Sequence, residues 1–321
     1  MELFVTGVTG FVGRSLVRHL AASGIGVRGL VRKAGTAPPG TTTEVVGDIT
    51  KPAALAAALR GVDAVIHCAA LLPEGLTKEQ ATTVNYEGTM GLARAARAAG
   101  VPAFVFTSSV AAIGFRSVGV VDGTVACEPV SDYGRAKLQA ERDLAQMATP
   151  SFRVVSLRPP TVYGPEDKKG NFIHFVRGVK KGFFPLPGGG KNRMAFCHDA
   201  NLAAALRVVA TNPDARGILH VADERPVTLR EVAETVAAAL GKRVFMPSIP
   251  LRPMYTAAAL AERLFGLLGK EAPISPTRLD TVTADFAFDT TAIERLGWRA
   301  PVLARDGITE TVHAYQAAGL V

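Results

Sequence analysis

Through the first 160 residues, short runs of β-branched and apolar residues alternate with longer stretches in which apolar positions recur every three or four residues. The runs at 3–5, 27–31, 43–46, 64–67, 103–107 and 154–157 predict strands, and the stretches near 11–23, 52–60, 78–100 and 131–148 predict helices. Strands separated by crossover helices of this length predict a parallel sheet covered on both faces. After Arg158-Pro159-Pro160 the rhythm changes. Gly- and Pro-rich loops at 185–190 and 247–253 mix with helical patterns near 171–181, 199–210, 228–240, 253–268 and 303–317. One strand-like run at 217–222 is expected to return to the sheet. The expected organisation is an α/β fold, with a domain at 1–160 and a smaller, interleaved C-terminal substrate-binding cap at 161–321.

The first strand runs straight into Gly7, Gly10 and Gly13, and the helix that follows carries Phe11, Val12, Leu16, Val17 and Leu20. Glycine lets such a turn close and lets backbone N–H groups approach a pyrophosphate, while the helix N-terminus brings its positive dipole end to the same anion. In this context the T-G-x-x-G-x-x-G spacing makes the sheet a Rossmann-type, doubly wound dinucleotide-binding sheet.

Composition narrows the classes. The chain has 321 residues, is 48% hydrophobic and carries a net charge of +8. Its cations are scattered and no aromatic-rich basic tract accompanies them, so the excess points to an anionic small molecule and not to nucleic acid. Cys68, Cys127 and Cys197 are widely spaced and give neither a disulfide framework nor a zinc site, and no metal is expected. No apolar stretch is long enough to span a bilayer, and no signal-peptide pattern opens the chain. A cytoplasmic protein without stable membrane insertion is expected.

Two stretches carry chemistry. In "SDYGRAKLQAERDLA", Tyr133 and Lys137 lie four apart, on one face of the predicted helix. A free tyrosine titrates near pH ~10, so it becomes a usable general acid and base when an ammonium one turn away favours its phenolate. In "FVFTSSVAAIG", a buried strand ends in Thr107, Ser108 and Ser109, at the end where ligands of this fold bind.

With "RPPTVYGP" just beyond, these motifs resemble the extended short-chain dehydrogenase/reductases, also described as the epimerase/dehydratase superfamily. The late "FDTTAIERLGW" and the earlier "AVIHCAA", "VNYEGT" and "HDAN" extend the resemblance over essentially the whole chain. It implies catalytic roles for Ser109, which orients the substrate oxygen, Tyr133, which moves the proton, and Lys137, which holds the nicotinamide ribose. Asn85 matches an asparagine near the active site. Cofactor contacts are implied for Gly7, Thr9, Gly10, Phe11, Val12 and Gly13, for Asp48 and Ile49 at the adenine, and for Cys68, Ala69 and Ala70 at the fourth strand's exit. Thr107, Ser108, Pro160 and Val162 complete that set with Tyr133 and Lys137, and His67 is read as a spacer. Dehydratases of the family carry Thr-Asp-Glu where this chain has Ser109-Val110-Ala111, which removes dehydration. Similar proteins commonly dimerise through helices equivalent to those near 78–100 and 131–148, so a homodimer is a candidate assembly.

Where an enzyme selecting NAD places an acid at the end of the second strand, this chain has Arg32 and Lys33, with no acid until Glu44. NADP(H) is therefore favoured over NAD(H). In the stretch 247–269, Met254, Tyr255, Ala258, Leu264, Phe265 and Leu268 fall near one helix face, resembling the 3β-hydroxysteroid dehydrogenase and dihydroflavonol reductase branches. An apolar lid, ordinary core packing and an interfacial membrane helix are the competing readings of that stripe. The expected function is hydroxyl/ketone interconversion on a hydrophobic or cyclic, steroid-like or flavonol-like, small molecule. A nucleotide-sugar epimerase with tightly bound NAD is the alternative, to which Asn171, Arg193 and His198-Asp199 lend support; a non-catalytic dinucleotide sensor is the third.

Overall fold

The computed structural model of the chain describes residues 1–321 except 74, 115–118, 169, 268, 270, 271, 273 and 274. Seven parallel strands form its central sheet: β1 Glu2–Thr6, β2 Gly26–Val31, β3 Thr43–Val46, β4 Ala64–His67, β5 Ala103–Thr107, β6 Arg153–Arg158 and β7 Gly217–His220. Their order is β7-β6-β5-β4-β1-β2-β3. The chain leaves β1 toward β2 and β3, then crosses back to β4 on the other side. That reversal opens a crevice beyond the carboxyl ends of β1 and β4, where a doubly wound sheet binds its ligand.

The two-residue period of the strands divides the core. Leu3, Val5, Ala64, Ile66 and Val105 face one side, packed against Leu16, Val17 and Leu20 of helix Phe11–Ala22 and Leu202, Leu206 and Val209 of helix Asp199–Thr211. Phe4, Val65, Phe104 and Phe106 face the other, against Leu55, Leu92, Ala93, Ala140 and Leu144. A third cluster gathers Tyr163, Phe172, Val176, Val232, Val236, Ile308, Val312 and Tyr315. It is joined to the sheet through the parallel pair Thr161–Tyr163 and Phe196–His198.

Several local expectations are corrected. The helix expected at 52–60 is a 3₁₀ turn, Pro52–Leu55, followed by the single α-turn Ala56–Leu59. The helix expected at 78–100 is α-helical at Lys78–Gln80, π-helical at Ala81–Gly88 and α-helical again at Thr89–Ala98. The apolar stripe lies on helix Leu251–Leu267, but only Ala258 is buried there, which excludes ordinary core packing. Met254, Tyr255 and Phe265 are half-buried, whereas Leu260, Leu264 and Leu267 face solvent; Leu268 lies outside the described residues. The Tyr255 hydroxyl ties this helix to helix Pro276–Thr283, donating to Asp280 Oδ1 at 2.7 Å. Among the described residues no helix is long and apolar enough to cross a membrane.

Helix Asp132–Met147 is tied to the end of β6 by a buried ion pair. Arg158 donates to both Glu141 oxygens, Nε to Oε1 at 2.8 Å and Nη2 to Oε2 at 2.6 Å. Each charge satisfies the other, so removing one strands its partner in a low dielectric. Arg158→Met should lower unfolding free energy by about 3–5 kcal/mol, and Arg158→Met/Glu141→Leu should recover most of it, by chemical denaturation. A single variant losing no more than ~1 kcal/mol would mean the pair behaves like an exposed one.

Candidate active site

The turn after β1 is built by backbone contact. Gly7 has φ +73°, and a Cβ there would lie 2.8 Å from the Ala69 amide nitrogen, so the exits of β1 and β4 touch main chain to main chain. A Cβ at Gly13 would lie 2.0 Å from the Gly7 carbonyl, which seats the helix directly on the turn. Gly10 occupies the helix N-cap, its own amide bonded to Gly7 O at 2.9 Å, and no side chain caps the helix. Thr9 and Gly10 are exposed and Phe11 and Val12 half-buried, leaving the helix start open to the crevice. A glycine cradle and an uncapped helix start fit the pyrophosphate of a dinucleotide.

At the far end of β2, Arg32 and Lys33 are exposed and form no ion pair among the described residues. Glu44, the nearest acid in sequence, is committed elsewhere: its oxygens accept from the amides of Gly35 at 2.7 Å and Ala37 at 2.9 Å. Those amides hold its carboxyl below the usual range. Asp48 Oδ1 accepts from the Thr50 amide and hydroxyl at 2.8 and 2.9 Å. These bonds, with smaller contributions from Lys51 and Arg32, lower its pKa. Ile49 beside it is buried.

At β4 the chain emerges through half-buried Cys68, Ala69 and Ala70. His67 is enclosed, with Nδ1 2.7 Å from Thr6 Oγ1 and Nε2 2.9 Å from Thr89 Oγ1. Burial, assisted by the Lys137 charge, pushes it down to about 3, so it is neutral at physiological pH and both its nitrogens are engaged. Asn85, within the π-helical stretch, is 1% exposed. Its amide accepts from Leu71 N at 2.8 Å and donates to Leu71 O at 2.9 Å. Asn85 thus ties the π-helical stretch to the loop after β4.

Tyr133 and Lys137 share one face of their helix, 9% and 2% exposed. Lys137 Nζ donates to Thr107 O at 2.8 Å and lies 4.5 Å from the Phe106 ring centre and 5.7 Å from that of Tyr133. Burial lowers Lys137 to about 8 against the charges of Cys68 and Glu141, so it remains an ammonium at neutral pH. Thr107 Oγ1 meets Cys68 Sγ at 3.2 Å, linking the ends of β5 and β4.

The two serines after β5 separate cleanly. Ser108 is 3% exposed, its hydroxyl enclosed without a hydrogen-bond partner among the described residues. Ser109 is half-buried and its Oγ accepts from Ala111 N at 3.1 Å, which leaves its own proton to donate to a ligand. Pro160 is buried; Val162 is half-buried in the strand paired with Phe196–His198.

Gly134 was not singled out in the sequence, yet it sets the spacing of the site. A Cβ there would lie 2.2 Å from Ala111 O, so the tyrosine helix rests on the serine turn by backbone contact. Its signal was the glycine immediately after the tyrosine, in a helix where glycine is otherwise a cost.

A model of the NAD dependent epimerase/dehydratase family matches residues 3–222. The chain belongs to that family. Its architecture is that of the extended short-chain dehydrogenase/reductases, and its homologues are enzymes spanning nucleotide-sugar epimerases and sterol dehydrogenases. UDP-glucose 4-epimerase of Vibrio cholerae is 32% identical over 99% of this chain and 96% of its own. Ceramide reductase of Caulobacter vibrioides is likewise 32% identical, over 98% and 94%. The structure of MoeE5 in complex with UDP-glucose and NAD superimposes with a TM-score of 0.75 at 26% identity, covering 99% of each chain.

Tyr133→Phe should reduce dinucleotide-dependent turnover by at least ~100-fold with folding intact. Gly134→Ala should lose both activity and thermal stability, because the helix must move away from Ala111. Lys137→Met should abolish turnover and also change the pH dependence of stability. Below about 8 both folded and unfolded Lys137 are protonated, and the cost of burying the charge is fully present; between there and its ordinary 10.5 only the folded form loses the proton. Stability therefore rises with pH through that window in the native chain and not in Lys137→Met. Thermal melts of the two that stay parallel from pH 7 to about 10 would refute the burial of this charge.

Proposed function

We propose that the protein is an NADP(H)-preferring oxidoreductase that interconverts a hydroxyl and a ketone on a hydrophobic or cyclic small molecule. The observation that carries the substrate class is Arg193. Nucleotide-sugar enzymes hold a diphosphate with cationic cap residues, but this guanidinium is already neutralised. Nε and Nη2 of Arg193 donate to the two oxygens of Asp285 at 3.1 and 2.9 Å, and its backbone amide adds a bond of 2.6 Å to Oδ1. His198 and Asp199 are buried, with the His198 amide bonded to Asp223, and Asp199 begins a helix. Asn171 likewise begins a helix, Asn171–Lys180. The similarity to a ceramide reductase adds a relative whose named substrate is a lipid.

Cofactor preference rests on Arg32 and Lys33, unpaired among the described residues, while Glu44 is turned onto its own loop. A guanidinium grips a 2′-phosphate bidentately, whereas an NAD site needs a carboxylate for the 2′-hydroxyl. The glycine cradle, Arg32 and Lys137 would hold the dinucleotide, which when bound supplies or accepts the hydride. In the reducing direction the Ser109 hydroxyl donates to the substrate carbonyl, Tyr133 gives its proton to the same oxygen, and Lys137 supports the tyrosine with its charge. The three free cysteines agree with a cytoplasmic protein.

The second reading, an epimerase with tightly bound NAD, is favoured by the Vibrio cholerae relative. Purified protein assayed with both reduced cofactors against hydrophobic cyclic ketones should oxidise NADPH, and Tyr133→Phe should not. Absence of turnover together with a dinucleotide released only on denaturation would favour the epimerase. Arg32→Asp should weaken NADP(H) binding by more than it weakens NAD(H) binding; equal losses would remove Arg32 from the cofactor site.

A further inference from the structure

Phe183 and Phe245 are two aromatic rings left on the surface, 55% and 67% exposed. They face each other with ring centres 6.0 Å apart. They are held there rigidly: the Phe184 amide donates to Phe245 O and the Phe245 amide to Gly182 O, each at 2.9 Å. The next ring along, Phe184, is half-buried and packs edge-on against Phe175 at 5.1 Å. The chain thus turns one phenylalanine inward as an anchor and its neighbour outward.

Cations flank the pair along both of its segments. Arg177, Lys180, Lys181, Lys242 and Arg243 are all exposed. Four of them, Arg177, Lys180, Lys181 and Lys242, line an open cleft of about 450 Å³ together with the segment 319–321. Two of their donors are used on backbone carbonyls, Arg177 Nε on Leu320 O at 3.1 Å and Lys242 Nζ on Lys180 O at 3.3 Å. The segments 171–190 and 235–250 contain no Asp or Glu at all, in a chain of net charge +8.

We propose that the Phe183–Phe245 pair and the cations of the same two segments dock the protein reversibly onto an anionic membrane surface. The two rings need an apolar phase, and the cations need phosphates at its rim; an anionic lipid leaflet offers both in one layer, at the depth an exposed side chain reaches. A second copy of the chain is disfavoured by charge, because a symmetric contact through this patch would oppose like cations. No buried span is required, so docking here is peripheral, and it stands whether or not the substrate is lipophilic.

The test is sedimentation of the full chain with phosphatidylcholine vesicles, with and without about one third phosphatidylglycerol. The native chain should partition onto the anionic vesicles at least ~10-fold better than onto the neutral ones, falling as salt rises. Phe183→Ser/Phe245→Ser should lose at least ~10-fold of that binding at unchanged charge, with its melting temperature retained. Lys180→Glu/Lys242→Glu should lose it by removing the attraction. Vesicle binding undiminished in the phenylalanine variant, or none by the native chain, overturns the proposal. So does tighter binding to a single-stranded polynucleotide that is lost in the same variants, which would assign the patch to nucleic acid.

Discussion

A charged ammonium enclosed at the end of β5 is the constraint around which the site is organised. Burying such a charge costs several kcal/mol unless the surroundings answer it. Here they do so in series: the Thr107 carbonyl accepts from Lys137, the faces of Phe106 and Tyr133 lie beside it, and Glu141 sits one turn further along the same helix. Glu141 is in turn held by Arg158 at the end of β6. Strand, helix and neighbouring strand are locked together by alternating charges, and the tyrosine inherits its place from that lock.

Much of this was legible in the chain. The glycines after β1 and the four-residue spacing of Tyr133 and Lys137 are local signals, read from turn chemistry and helical period. What could not be read was nonlocal. Glu44 is the first acid after Arg32 and Lys33, and only the fold reveals that the Gly35 and Ala37 amides occupy it. Arg193 reads as a free cation until Asp285, far along the chain, is brought against it. Periodicity marked the apolar stripe at 251–267 but carried no information about what covers it. Likewise the three-residue strands at 161–163 and 196–198 are fixed by each other and not by their own composition.

The two relatives of equal identity, one acting on a sugar nucleotide and one on a lipid by their names, share what the sheet provides.

The π-helical stretch at 81–88 carries a further consequence. A π-turn contains one residue more than the α-helical path between the same ends. Deleting a single residue there would let the coil tighten onto the α-helical path between the same ends, so the positions of helix Thr89–Ala98 would keep their faces while the stretch itself is rebuilt. Asn85 would swing off Leu71, whereas Leu92, Ala93 and Ala96 would stay against the sheet. The surplus residue is thus a local device: it aims Asn85 at the loop after β4 without altering how the following helix packs.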